Sequence, residues 1–386
     1  MTSPKVLASV AVLLCAVAVS MVWLWPDATS TTPGGQDAVQ VNGVISTVDE
    51  QPCPPVDQSA PNTQTPRPKD TACGTAKVQL TSGAAQGITV TVPLPAGAGA
   101  PRVAPGEKVA LAYSGGNAAG SQYAIIDHQR GTQLWVLCAA FTLAVVAFGR
   151  WRGLTALLGL GFTFTVILGF VIPAILDGKP PLAVAIVGCS AIVLVVLYVT
   201  HGIGRSTTVA LAGTLTSLLL TGLLSLLAVS TMKLTGAGDE SSFILGQTHG
   251  VDLRGLLLAG ILIGSLGVLD DVTVTQAATV EELAQANPTF SARHLYAAAT
   301  RVGRAHIASV INTIVLAYAG ASLPLLVLIV ALDDPVGQVL SDQLVATELV
   351  RSAVGTIGLI AAVPITTAAA AVMARRRASR TMVGTP

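Results

Sequence analysis

The chain has 386 residues, of which 52% are hydrophobic and only 11% charged, against roughly a quarter charged in ordinary soluble domains. No soluble core hides that much apolar surface, so the composition excludes a simple water-soluble domain. The formal net charge is +1 and the basic residues are scattered through short loops, which leaves no electrostatic footprint for a nucleic-acid partner.

A membrane-spanning helix needs about 20 mostly apolar residues to cross roughly 30 Å of hydrocarbon. The first such run covers residues 6–25, follows Lys5 and ends in Trp23 and Trp25, aromatics suited to the membrane interface. Residues 1–26 read as a signal anchor. Cleavage as a signal peptide is the rival reading; the long apolar run and the lack of a small-x-small site before Asp27 weigh against it.

Residues 27–133 change character. They are polar and rich in Pro and Gly, with alternating runs at Val39-Gln40-Val41 and residues 88–92, the period that buries one face of a strand. The prolines of residues 52–70 demand an extended or irregular linker. A compact β-rich domain, of the kind a small barrel makes, is the expectation. Cys53 and Cys73 fall in this polar segment, where a disulfide is the expected pairing and implies an oxidising compartment. Cys15, Cys138 and Cys189 sit in apolar runs and read as small buried hydrophobes.

Further apolar runs follow at residues 134–149, 154–176, 182–199, 207–229, 253–276, 307–332 and 345–373. The fold class expected is therefore an all-α polytopic membrane protein with about eight transmembrane helices and one β-rich insert between the first two. Residues 134–374 form the membrane domain and residues 375–386 a basic tail. Arg150 and Arg152, Arg205, then Arg293, Arg301 and Arg304, and finally Arg375, Arg376, Arg377 and Arg380 fall on alternate loops. One orientation places all of them in the cytoplasm. It puts both termini inside and the β domain, with its cysteines, outside.

Polar residues inside these runs are the candidate functional groups. Residues 256–269 make only about 21 Å of helix, roughly 9 Å short of the hydrocarbon thickness. The helix is expected to continue through Asp270 and Asp271, although thinning of the bilayer, with the acids starting a solvated loop, is the bland alternative. A charged side chain at membrane depth costs a few kcal/mol and usually faces a partner or a wet cavity. Arg304 is first a topology marker, His306 an interfacial residue or a proton carrier, and Asn312 interhelical glue at a depth that permits contact with Asp271. Glu348 and Arg351, at i and i+3, share a helix face and make an ion pair there. Pro364 frees a carbonyl that Thr366 and Thr367 are placed to satisfy, with a kink as the result.

These residues carry a resemblance to the YibE/F family of bacterial multi-pass membrane proteins. The similar blocks run from Gly267 through Asp270 and Asp271 to Glu282, from Val302 through Arg304 and Asn312 to Pro324, and from Glu348 through Arg351 to Thr367. The resemblance spans residues 134–373 and implies a plasma-membrane protein of this segmentation; it names no activity. It aligns Asp271 rather than Asp270 with the family's acid, and His306 stands where the family usually has an acid. The layout of the block around Asp271 and Asn312 is also similar, by analogy, to proton-driven SecD/SecF and resistance-nodulation exporters.

Two functions compete. The first is a transporter or transport-assisting protein, ion-coupled, moving ions or a small solute through a polar centre of Asp271, Asn312, Arg304, Glu348 and Arg351. The second is a non-transporting scaffold whose outer β domain binds an extracytoplasmic protein partner while the helices hold it in the lipid bilayer. An enzyme is not expected, nor a cofactor or metal, because the chain has no His-Glu-x-x-His helix, no phosphate-binding glycine-lysine loop and no Gly-x-Ser-x-Gly turn.

Overall fold

A computed structural model describes residues 4–27, 39–52, 73–96, 100–114, 122–238, 240–332, 337, 339 and 342–383. The chain divides into two compact units, Thr32–Ala144 and a second made of Met1–Thr31 with Val145–Pro386.

The first unit holds a five-stranded antiparallel sheet. Its strands are β1 Val39–Gln51, β2 Cys73–Leu80, β3 Thr89–Pro93, β4 Lys108–Tyr113 and β5 Tyr123–His128, in spatial order β3-β2-β1-β4-β5. β1 is long because it serves two partners: residues 39–44 pair with β4 and residues 43–51 with β2, with an irregularity between Ile45 and Thr47. The edge strands β3 and β5 approach each other, so the sheet curls into a half-barrel around one apolar face. Val41, Ile45, Ala76, Val78, Leu80, Val92, Val109, Leu111 and Ile125 fill it. Gly43 sits where a Cβ would run into Val78 and lie 3.1 Å from Leu111, so the strand crossing needs a residue without a side chain. Cys73, at the start of β2, is disulfide-bonded; Cys53 and the proline-rich linker lie outside the described residues.

The second unit is helical. Its elements are α1 Pro4–Trp23, α2 Gly131–Val166 (from Val145 onward), a π-helical turn Ile167–Val171, α3 Ile172–Leu176, α4 Pro181–His201, α5 Arg205–Thr231, α6 Glu240–His249, α7 Leu253–Ala286, α8 Ala292–Ala321, α9 Leu323–Leu332 and the last helix, α10, Gln343–Val383. Among the described residues six stretches are long and apolar enough to cross a membrane, where about eight were expected. Two places account for the difference. Residues 131–176 form one 46-residue stretch that breaks at Arg150, whose φ of 52° and ψ of −129° leave the helical region. α1, Pro4–Trp23, is a further apolar helix of 20 residues that the six do not include.

α7 meets its expectation and α8 does not. α7 runs unbroken through Asp270 and Asp271 to Ala286, so the helix does continue past its acids. The run expected at residues 307–332 is instead split at Ser322, with α8 beginning far earlier at Ala292. Only the first half of α8 is embedded, through Leu295, Ala299, Gly303 and Ile307 on one face. The π-helical turn precedes Pro173, whose missing N–H interrupts the regular ladder.

α1 is part of this unit rather than an appendage. Leu24 is buried in its core, Trp25 packs on Phe170 at 5.8 Å, and the Asp27 amide donates to Asp177 Oδ2 at 3.1 Å. Lys179 then bridges Asp27 and Asp177 at 3.2 and 3.5 Å. The hydrogen bond to Asp27 leads the upward shift of the Lys179 pKa, and Asp177 adds to it.

Candidate functional site

The inner surface of the helical unit is polar where three long helices meet. On α5, Thr214, Ser217, Thr221 and Ser225 recur at steps of three, four and four, so they form one stripe. That stripe faces α7 and α10, and all four residues are buried. Thr214, Thr221 and Ser225 each donate to the carbonyl four residues earlier, at 2.7 to 2.9 Å, which satisfies a hydroxyl without a partner helix. Small residues let the backbones close up. A Cβ on Gly213 would meet the Thr366 hydroxyl, one on Gly358 the Thr221 hydroxyl, and one on Gly303 the Gln276 amide at 2.7 Å.

At one level the hydroxyls bond across helices. Thr214 Oγ1 lies 2.6 Å from Thr273 Oγ1, and Thr367 Oγ1 donates to Gln276 Oε1 at 3.0 Å. This corrects one sequence expectation. The Thr367 hydroxyl is committed to Gln276 rather than to the carbonyl that Pro364, inside α10, frees.

Several buried polar atoms have no hydrogen-bond partner among the described residues. They are Ser217 Oγ on α5; Asp270 Oδ1 and Gln276 Nε2 on α7; Thr300 Oγ1 and His306 Nε2 on α8; and Thr347 Oγ1, Arg351 Nε and Thr366 Oγ1 on α10. From Thr347 to Thr366 is about 28 Å along a helix, close to the hydrocarbon thickness. On α10 the unsatisfied groups therefore stand toward both ends of a stretch of about that length.

Of the residues singled out in the sequence, two pairs come together. His306 Nε2 lies 3.8 Å from Asp271 Oδ2, too long for a direct hydrogen bond but within ion-pair range when the imidazole is protonated. Arg351 Nη1 donates to Glu348 Oε1 at 3.0 Å. Between these pairs a cavity of about 280 Å³ opens among α7, α8 and α10, lined by Gly264, Ser265, Val268, Ile314, Tyr318 and Gly355 among others. Tyr318 lies within electrostatic range of Arg351 and Glu348.

The remaining residues separate. Asp271 is 66% exposed, whereas Asp270, one position earlier, turns a carboxylate oxygen into the protein. The sequence favoured Asp271; the more enclosed acid is Asp270. Arg304 and Asn312 lie on exposed faces of α8, and no hydrogen bond links Asn312 with Asp271 among the described residues. Thr366 is fully buried. No group of three or more His, Cys, Asp or Glu side chains suited to a metal occurs among the described residues. Sequence reasoning missed the α5 stripe, although its three-four-four spacing was there to be counted. Gln276 figured there only as the last residue of the 253–276 run.

The family model for YibE/F-like proteins matches residues 137–376. That stretch takes in every helix that lines the polar seam and both residue pairs, and it leaves out the β-sheet. No curated protein and no solved structure matches the chain. With well over half its length matched, and with the apolar helices of a membrane protein, the chain belongs to the YibE/F-like protein family.

Proposed function

We propose that the protein is an ion-coupled transporter, or a transport-assisting protein, of the bacterial plasma membrane. Both termini are then cytoplasmic and the β domain extracytoplasmic. One observation carries the reading: buried polar atoms on α5, α7, α8 and α10 that have no hydrogen-bond partner among the described residues. Inside a bilayer such groups are costly unless they face a partner or a wet cavity, and the hydroxyl and carboxylate oxygens among them suit a proton or a small cation. Asp270 is the coupling carboxylate in this reading. Asp271 and His306 pass protons between it and the aqueous boundary, while Glu348 and Arg351 guard the opposite end. The chemistry is translocation and not catalysis.

The test is flux in proteoliposomes under imposed proton and cation gradients. Asp270→Asn keeps size and much of the hydrogen bonding but removes ionisation. The expected result is flux by the natural protein and its loss in Asp270→Asn, with Asp271→Asn slowed and its pH dependence changed. A well-folded Asp270→Asn protein with full flux under the same gradients would sink the proposal. Absence of flux under every gradient would favour the scaffold reading, in which the β domain binds an extracytoplasmic partner.

A further inference from the structure

The second half of α8 has one face that no described residue covers. Only 6% of the most apolar stretch of α8 is buried, against 44 to 56% in α4, α5, α7 and α10, so most of the circumference of this helix is free. Val310, Ile311 and Ile314 pack against the core of the bundle. On the opposite side Ala305, Ser309, Asn312 and Leu316 are all exposed. They recur at steps of four, three and four, the spacing of the contact line in a two-helix coiled coil. Asn312 is the odd member of that line. It lies about 12 Å of helix beyond Arg304, inside a stretch long and apolar enough to cross a membrane. Its neighbour Thr313 donates to the Ser309 carbonyl at 3.1 Å, but the Asn312 carboxamide has no hydrogen-bond partner among the described residues.

A carboxamide that faces lipid leaves two N–H donors and a carbonyl acceptor unmet, which is costly where no water reaches. Lipid tails offer neither group, so a second helix has to bring both. The carboxamide itself holds donor and acceptor and is its own complement. The membrane receives every copy of the chain in one direction, so a two-fold axis along the membrane normal sets α8 beside α8 in parallel. Each residue near the axis then stands opposite its own equivalent. We infer that the protein forms a parallel homodimer through this face of α8, held in register by hydrogen bonds between the two Asn312 carboxamides. Ala305 and Ser309 are small enough to let the two backbones approach on one side of Asn312, and Leu316 packs against its equivalent on the other. A single asparagine in such a line fixes register and number of strands. The pairing needs no residue of the proposed coupling path and stands whether or not the protein transports.

The experiment uses the full chain, with Cys15→Ser and Cys138→Ser to remove its exposed thiols, reconstituted in bilayers of phosphatidylethanolamine and phosphatidylglycerol. Oxidative cross-linking from Leu316→Cys is expected to give covalent dimers, whereas Ile314→Cys, on the bundle side of the same helix, gives few. Single-molecule photobleaching across a series of protein-to-lipid ratios then measures the dimer fraction. Asn312→Val should weaken the dimer on the order of tenfold, while Asn312→Gln, which keeps the carboxamide, should retain most of it. Both variants should melt like the natural chain in detergent that holds it monomeric, because the side chain touches nothing in its own copy. Monomers at every ratio, equal cross-linking from the two cysteine positions, an undiminished dimer in Asn312→Val, or equal weakening by valine and glutamine would overturn the inference.

Discussion

The two units bury opposite things. Among the described residues the β-sheet buries no polar side chain, whereas the helical unit buries Thr214, Ser217, Thr221, Thr273, Gln276, Thr366 and Thr367 with no measurable exposure. The solvent explains the contrast. In water, apolar burial is the main favourable term, and every polar group placed inside works against it. In a bilayer the surroundings are as apolar as leucine, so apolar burial gives helices little reason to associate. Close packing and hydrogen bonds do that work, and a polar interior carries a smaller relative penalty. Polarity inside the sheet would be a defect; inside the bundle it is a candidate path.

The largest expected effect tests the first half of that contrast. Val78→Asp places a carboxylate in the fully buried centre of β2, at a cost of several kcal/mol, comparable with the whole stability of a small domain. The sheet should be lost, seen as rapid proteolysis within residues 39–128 of the full chain while the helices stay protected. Survival of the sheet would mean that its core is less continuous than its side chains imply.

Next in size is the disulfide at Cys73. Gln51 lies opposite Cys73 in the β1–β2 ladder, which leaves Cys53 two residues beyond the register and makes it the expected partner. A bridge between them closes a loop of about 20 residues, which by chain entropy contributes roughly 3 kcal/mol. Cys73→Ser should lower the sheet's stability by about that amount and leave the helical unit's melting unchanged. Unreduced peptide mapping checks the pairing directly, and free thiols at both positions in protein from native membranes would rule it out.

Much of the architecture was legible in the sequence because hydropathy and alternation are averages over many residues. The strand at residues 39–41, the helices near residues 182–199 and 207–229, and the continuation of α7 past Asp271 all follow from such averages. The site was less legible, since it depends on single rotations. Asp270 and Asp271 are adjacent, so they differ by about 100° around the helix, and only packing decides which one turns inward. Arg304 and Asn312 were placed by depth alone, and depth carries no information about which face of α8 meets α7. Serine and threonine on α5 barely perturb an apolar profile, which hides a stripe whose spacing is nonetheless regular.

Close packing, the bundle's own source of stability, is tested by glycine. In Gly358→Val the new side chain runs into Thr221, and overpacking of this kind costs about 1–3 kcal/mol. Gly267, which has nothing within 4 Å of an added Cβ, is the control, and Gly267→Ala should be neutral or gain up to about 1 kcal/mol from helix propensity. Thermal melting in detergent measures both. Equal responses at the two glycines would show that the α5–α10 contact does not hold the bundle together.

The smallest expected stability change bears most directly on what the seam is for. Thr221 is fully buried and donates to the Ser217 carbonyl at 2.8 Å. That carbonyl lies within the helix and keeps its place in the backbone ladder, so Thr221→Val removes a donor without orphaning an acceptor. Side-chain hydrogen bonds between membrane residues average only about 0.6 kcal/mol, and the added methyl fits where a hydroxyl stood. The variant should therefore melt within about 1 kcal/mol of the natural protein. Flux is expected to behave differently, because a methyl in place of a hydroxyl dries one level of the polar file and should slow translocation severalfold. If Thr221→Val instead destabilises the bundle as a core cavity would, the hydroxyl stripe is structural and the contrast with the sheet collapses. If stability and flux are both unchanged, the path does not pass this level of α5, and it must be sought along the Asp271–His306 side of α7.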